Sequence, residues 1–193
     1  MKKLFLLIAV SMCLDEIIAQ TVVQGTIFTD LKSAMEEPDN VVRLKLSKKK
    51  LKKIPSEVYL FKNLEELDLS KNKIDSVPDS IGVLTNLKVL NLSSNKLNAL
   101  PAGIGNLKNL ETLSAARNNI QTLPPEIGQL QNLLFLNLWD NDLQNIPEEL
   151  GQLTGLKELE LRSILFSDEE RDRIKKLLPN TKIYLSPSCN CQF

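Results

Sequence analysis

The sequence predicts an α/β solenoid in which short parallel strands stack side by side, 3₁₀ turns or short helices return along the convex side, and a cap covers each end. The dipeptide Asn-Leu recurs at a constant step of 23 residues, and apolar residues occupy the same places in each interval. A constant period of this length indicates stacked repeats, each of which buries the apolar side of its neighbour. A further asparagine stands at one fixed place in four successive copies, at Asn72, Asn95, Asn118 and Asn141.

The first half of each copy reads as a short strand followed by a turn into the core. Leu67 and Leu69 lie two residues apart and therefore point to the same face of a strand, with their counterparts in the next copy about 5 Å away on a parallel neighbour. Asn72 marks the place where the chain leaves the strand. Because its amide can both donate to and accept from backbone groups, the four asparagines are expected to form a ladder along the stack.

The second half of each copy predicts the convex side. Residues 77–84 show the pattern, with Pro at a fixed place followed by Ile or Leu, Gly and Leu. Proline fixes φ and removes a hydrogen-bond donor, and apolar residues three apart suit a 3₁₀ turn or a short helix. Six repeats fit residues 40–166, and the first and the last of them are degenerate.

The N-terminal segment, residues 1–19, has the pattern of a signal peptide. Two lysines follow Met1, residues 4–14 are apolar but too short to span a bilayer as a helix, and Ala19 offers a small residue at the cleavage point before Gln20. We therefore expect an exported protein that is soluble after cleavage and is secreted, periplasmic or on the outer surface.

A lipoprotein is the alternative for the same segment. Residues 10–13 resemble a bacterial lipobox that ends in Cys13, although Met12 stands where that motif has a small residue. Soluble export is favoured over acylation of Cys13. Membrane attachment is expected only if Cys13 carries lipid.

The segment over residues 20–39 is expected to cap the first repeat. Thr29 can cap a short helix over residues 30–37, and Pro38 ends it. Such a helix covers the leucines and the strand edge that an end repeat would otherwise expose.

The first repeat, residues 40–62, carries a run of lysines, and Lys49 takes the place of the ladder asparagine. One interpretation is contact with a polyanion such as an acidic glycan, a lipid headgroup or nucleic acid. The other is a solvated end repeat whose lysines block edge-to-edge pairing. The second is favoured because no aromatic residue stands among these lysines to stack on a base. The run comprises Lys48, Lys49, Lys50, Lys52 and Lys53.

The C-terminal region, residues 167–193, is expected to cap the other end with a helix, a strand and a tail. Ile164 replaces the ladder asparagine in the last repeat, Ser167 and Glu170 form a capping box, and residues 182–185 read as a terminal strand.

The tail contains Cys189 and Cys191. A disulfide across one intervening residue has strained geometry and would close so short a loop that it would add little stability. Two thiolates without histidine or a second cysteine pair are a poor metal site.

These motifs resemble those of bacterial exported leucine-rich repeat proteins of the 23-residue kind. The resemblance rests on the patterns L-x-x-L-x-L-x-x-N-x-L and L-P-x-x-I-G-x-L, the second of which residues 123–130 match, and it covers about residues 40–185. It implies an arc or horseshoe with a concave parallel sheet, and it implies binding of other macromolecules. Lys49, Ala115 and Ile164 depart from the pattern. We expect no appended catalytic domain of the ubiquitin-ligase type.

Strand residues that alternate with the buried leucines are expected to line the concave face. Trp139 should lie between Ala116 and Arg162, with one ring face exposed and the other able to stack on a guanidinium. The alternative is that Trp139 only covers Ala116, and that Phe135 packs on Val89 and Thr112. The predicted partner-binding patch consists of Phe135, Asn137, Trp139, Arg117, Asp140 and Arg162, of which Arg117 and Asp140 can pair.

An enzyme is the principal rival class. The carboxylate pairs Glu66/Asp68 and Glu158/Glu160 have a spacing that could accommodate glycoside hydrolysis. However, both pairs are expected on an exposed sheet near basic neighbours, where nothing would make one member an acid. The chain also has no histidine, the commonest general base and transition-metal ligand.

The sequence therefore predicts a non-catalytic module that binds a protein partner through its concave face. The 24 basic and 24 acidic residues balance, so no net charge steers the chain toward nucleic acid. We expect no cofactor and no metal, and we expect the protein to be a monomer. Glycan or other polyanion binding through the lysine-rich first repeat remains an alternative, as does a structural surface protein without a specific ligand.

Overall fold

The computed structural model describes residues 25–187. These residues form one parallel sheet of eight strands, in which each strand pairs with its neighbours in sequence order. The predicted signal peptide, the lipidation site at Cys13, and Cys189 and Cys191 lie outside the described residues. The strands are β1 (Ile27–Phe28), β2 (Arg43–Lys45), β3 (Glu66–Asp68), β4 (Val89–Asn91), β5 (Thr112–Ser114), β6 (Phe135–Asn137), β7 (Glu158–Leu161) and β8 (Lys182–Leu185).

The register of the sheet follows the 23-residue period. Leu67 pairs with Leu44 on one side and with Leu90 on the other, and the same step continues to Leu159. Each of these leucines is buried, and together with the apolar residues of the turns they form one continuous hydrophobic core. The predicted solenoid with a parallel sheet is confirmed.

Short 3₁₀ helices follow a proline in five of the repeats and form the convex side. Each begins directly after that proline, which fixes φ and has no N–H to satisfy at a helix start. Their bounds are Ser56–Leu60, Asp79–Val83, Ala102–Asn106, Pro125–Gln129 and Glu148–Gln152, and a further 3₁₀ turn, Pro38–Asn40, precedes β2.

The four asparagines of the repeats bond to the backbone of their own repeat and of the preceding one. Asn118 accepts a hydrogen bond from the Leu97 N–H (3.0 Å) and donates to the carbonyls of Leu92 (3.2 Å) and Ala115 (2.9 Å). Asn72, Asn95 and Asn141 make the same set of contacts in their own repeats.

The N-terminal cap differs from the sequence prediction in two respects. Helix α1 spans Leu31–Glu36, and its N-cap is Asp30 rather than Thr29. Asp30 accepts bonds from the Ser33 N–H and hydroxyl, which lower the pKa of Asp30 and fix the start of the helix. Strand β1 was not predicted. It pairs with β2 and so covers the strand edge of the first repeat.

The C-terminal cap contains the predicted helix, α2 (Asp168–Leu177), and the predicted strand β8. The Ser167 side chain accepts from the Glu170 N–H, as a capping box requires. The Glu170 carboxylate is used differently, because it accepts from the Ile146 N–H (2.8 Å) and from Arg173 (2.7 Å). These bonds tie α2 to the preceding repeat. Among residues 25–187, no helix is long and apolar enough to cross a membrane.

Candidate concave binding surface

Trp139 lies just beyond the end of β6, held between the neighbouring repeats. The Arg117 guanidinium carbon stacks over the indole ring, 4.3 Å from its centroid. On the other side, the indole Nε1–H donates to the Ser163 hydroxyl at 3.0 Å. The half-buried ring is therefore fixed in one orientation, with a cation on one face.

Arg117 and Asp140 hold equivalent places in adjacent repeats, directly before the ladder asparagine. Both have left-handed backbone conformations, with φ of 55° and 58°. Their backbone N–H groups donate to the next repeat, Arg117 to the Trp139 carbonyl (2.7 Å) and Asp140 to the Arg162 carbonyl (3.0 Å). The ion pair predicted between the two side chains is not among the ion pairs of the described residues, and Arg117 stacks on Trp139 instead.

Arg162, in the repeat after that of Trp139, binds a buried acid. Its guanidinium donates to both carboxylate oxygens of Glu160, at 2.7 to 3.1 Å, and Glu160 is 1% exposed. Arg162 also lies over the Tyr184 ring, 5.5 Å from its centroid. The guanidinium that stacks on the Trp139 ring is thus that of Arg117, whereas the Arg162 guanidinium binds the Glu160 carboxylate, since charge-assisted hydrogen bonds to a carboxylate are strong. The stacking partner comes from the preceding repeat.

Asn137 has a role that the alternation pattern does not show. Its side-chain oxygen accepts from the Trp139 N–H at 3.1 Å, two residues further along the chain. Asp68, Asn91 and Glu160 make the same bond in their own repeats. A hydrogen-bond acceptor at this place thus closes the end of each of these strands, and for Asn137 the bond fixes the backbone that carries Trp139.

Phe135 completes the patch at the start of β6. It pairs in register with Thr112, and Thr112 and Val89 on the adjoining strands are 3% and 2% exposed. The Thr112 hydroxyl is buried without a hydrogen-bond partner among the described residues. Phe135 remains half-buried, so part of its ring faces solvent.

Tyr184 is a concave aromatic residue that the sequence interpretation passed over. It pairs in register with Glu160 and lies between two cations, with the Lys182 ammonium 4.9 Å from its ring centroid. A hydrogen bond with the Tyr184 side chain raises the pKa of Lys182, and the negative charge of Glu158 raises it further. The recurrence of an aromatic residue under a cation near β6 and on β8 could have been found only by aligning the terminal strand with the repeats.

The carboxylate pairs considered for catalysis are occupied by cations. Glu66 accepts from Arg43 at 2.6 Å, and Asp68 lies 4.0 Å from Lys45. At the other pair, Glu160 binds Arg162 and Glu158 lies 3.8 Å from the Lys182 ammonium. Within residues 25–187, no group of three His, Cys, Asp or Glu side chains is placed to hold a metal ion. Each of the four carboxylates thus lies in an ion pair.

Two family models match the chain over most of the described residues. The family model described as a leucine-rich repeat region matches residues 79–182, and a second one, described as a leucine rich repeat, matches residues 39–97. No curated protein matches the chain.

Three solved structures are similar to the chain. A leucine-rich repeat protein of Leptospira interrogans is 36% identical, with a TM-score of 0.58 over 75% of this chain and 42% of its own. Internalin C2 of Listeria monocytogenes is 26% identical, with a TM-score of 0.69 over 82% of this chain and 66% of its own. The plant peptide hormone receptor RGFR1, in complex with RGF2, is 29% identical, with a TM-score of 0.58 over 69% of this chain and 22% of its own. The chain thus spans only part of the length of each.

Proposed function

Because the chain belongs to the leucine-rich repeat family, we propose that it is a non-catalytic binding module and that it recognises a protein partner through its concave face. The patch that makes the contact, called the Trp139 patch below, consists of Phe135, Asn137, Trp139, Arg117 and Asp140, with Arg162 at its border. The similarity to a plant receptor solved in complex with RGF2 supports this class of function.

The observation that carries the proposal is the fixed orientation of Trp139. Tryptophan and arginine dominate the energetics of protein interfaces, since they bury large areas against a partner. Arg117 and the Ser163 hydroxyl already hold the ring in place. Binding a partner there costs little further side-chain entropy, which is the usual advantage of a preorganised site.

Two neighbours of Trp139 support the same location. Phe135 adds a second half-buried aromatic ring on the same strand. Asp140 is exposed at the border, beside the Arg117 position, so that charges of both signs surround the rings. An aromatic centre with a polar border is the arrangement typical of interface hot spots.

The test begins with capture of a partner by the chain that starts at Gln20, followed by measurement of its Kd. We expect Trp139→Ala to weaken binding by about 2 kcal/mol or more, which is roughly thirtyfold in Kd. Leu60→Ala is the matched control, because Leu60 is an exposed apolar residue (55%) on the convex side. It should leave the Kd unchanged.

The circular dichroism spectra of both variants should match that of the parent protein. A partner whose affinity survives both Trp139→Ala and Phe135→Ala would place the site elsewhere. The rival class, a structural surface protein without a specific ligand, predicts that no saturable binding is found with any partner.

We further infer that the chain is exported. The N-terminal pattern of a positive start, a short apolar segment and Ala19 supports this localisation, with Cys13 acylation as the alternative.

A further inference from the structure

The stacking of the repeats brings together lysines that are far apart in sequence. Two places in each repeat flank the ladder position, and in the first three repeats five of these six places are lysines. Backbone bonds hold them in register, such as those from the Lys73 N–H to the Leu51 carbonyl and from the Lys96 N–H to the Ile74 carbonyl, both 2.8 Å. Side chains at equivalent places are therefore about 5 Å apart from one repeat to the next. We call this set the lysine strip: Lys48, Lys50, Lys71, Lys73 and Lys96.

The charge of the strip is uncompensated. All five side chains are exposed, and none of the five forms an ion pair with another residue in the described part of the chain. Lys45 and Lys88, by contrast, pair with Asp68 and Glu65. The strip instead presents its ammonium groups to solvent.

Backbone conformation does not account for lysine at these places. Lys48, Lys50 and Lys71 have φ of 60°, 59° and 56°. Glycine and asparagine adopt this left-handed region most readily, and a lysine there carries a conformational cost. At these three places the strip therefore has lysine where the backbone alone would favour another residue.

We propose that the lysine strip binds a linear acidic polysaccharide, one that carries carboxylate or sulfate groups along its length. This is a second site, separate from the Trp139 patch. A stiff polymer with regularly spaced anions matches lysines that the solenoid backbone holds at a regular spacing, because such a polymer loses little conformational freedom on binding. An acidic polypeptide segment is flexible and would lose more.

The neighbouring positions argue against two other polyanions. The two flanking places hold no aromatic side chain in any repeat, so nucleic acid bases would have no ring to stack on. The same columns hold Asp140 and Asp142 in the fifth repeat, and these acids would repel a long phosphate backbone or a planar anionic bilayer that extends past the first repeats. A short anionic stretch that lies along the first repeats avoids these acids.

The experiment measures the Kd of a heparin decasaccharide for the chain from Gln20 by calorimetry in low salt. Lys71→Gln/Lys73→Gln removes two charges from the centre of the strip, and Lys175→Gln/Lys176→Gln removes two exposed charges from α2 as the control. We expect the first variant to bind about tenfold more weakly or worse and the control to bind like the parent. Circular dichroism melts of both variants should match the parent, since all four side chains are exposed.

Three results would overturn the proposal. The first is no binding by the parent protein, and the second is an equal loss in the strip variant and the control. The third is tighter binding of poly-glutamate, single-stranded DNA or phosphatidylserine vesicles than of the decasaccharide, which would assign the strip to that class instead. Trp139→Ala should leave decasaccharide binding unchanged, so that failure of this proposal and failure of the Trp139 patch are read separately.

Discussion

The asparagine ladder should be essential for stability, and Asn118→Ala is its sharpest test. Asn118 is 7% exposed and lies in the middle of the stack. Replacement by alanine removes the acceptor for the Leu97 N–H and the donor for the carbonyls of Leu92 and Ala115. Leu92, Leu97 and Ala115 are fully buried, so their backbone groups lie away from solvent.

The magnitude follows from the groups left without partners. A buried backbone group deprived of its hydrogen bond costs about 1 to 3 kcal/mol. Asn118→Ala leaves at least one N–H without an acceptor and removes one hydrogen bond from each of two carbonyls. We therefore expect the free energy of unfolding to fall by about 3 kcal/mol. For a domain of this size the loss corresponds to a fall of roughly 10 °C in Tm.

Urea denaturation followed by circular dichroism measures this difference. Ser94→Ala is the control, because Ser94 lies directly before the ladder residue of its own repeat and its backbone N–H, which bonds the Ala116 carbonyl, is unaffected. Its midpoint should lie close to that of the parent. Equal midpoints for Asn118→Ala and Ser94→Ala would show that the ladder contributes nothing beyond the packing of the leucines.

Three further predictions concern packing, the C-terminal cap and processing. Gly82→Ala should cost about 1 to 3 kcal/mol, because a Cβ there would lie 2.6 Å from the Gly103 carbonyl oxygen, whereas Gly155→Ala, whose nearest neighbour is 3.7 Å away, should cost little. Glu170→Ala should cost about 2 kcal/mol at pH 7. Hydrogen bonding to Arg173 lowers the pKa of Glu170 below its ordinary 4.5. The stability that the ionised carboxylate contributes is therefore complete above pH 4.5 and is lost as the pH falls through the lowered pKa of the folded protein. At that pH the unfolding curves of variant and parent should converge. Mass spectrometry of the protein from its native cell should find Gln20 as the first residue or lipid on Cys13, and an intact Met1 would contradict both.

The fold could be predicted from the sequence because the same pattern of apolar residues, asparagine and proline recurs in each repeat. The leucines of β3 to β7 and the prolines before the 3₁₀ helices all follow from one period. The terminal strand β8 does not, because Lys182 pairs with Glu158, 24 residues earlier. The ends were harder, since only one copy of each cap exists. Strand β1 is two residues long and pairs with the stack rather than following a pattern of its own, and Asp30 replaced Thr29 as the cap because its carboxylate reaches Ser33.

The candidate site was less predictable than the fold for a physical reason. Period and alternation determine which residues share a face, but they do not decide between competing partners. Arg162 could lie over Trp139 or bind Glu160, and the buried carboxylate prevailed. The Arg117 stack joins residues 22 positions apart in neighbouring repeats, and only the three-dimensional register brings them together.

The two proposed sites occupy different parts of the same stack and should respond differently to salt. The lysine strip lies on the first three repeats, while the Trp139 patch is built from later ones. Binding at the strip depends on exposed charges, which added salt screens over about 10 Å at 0.1 M. Binding at the Trp139 patch depends mainly on burial of aromatic surface, which moderate salt does not weaken. Raising the salt concentration should therefore release an acidic polysaccharide while a protein partner stays bound, and loss of both ligands over the same range would indicate a single, shared electrostatic site.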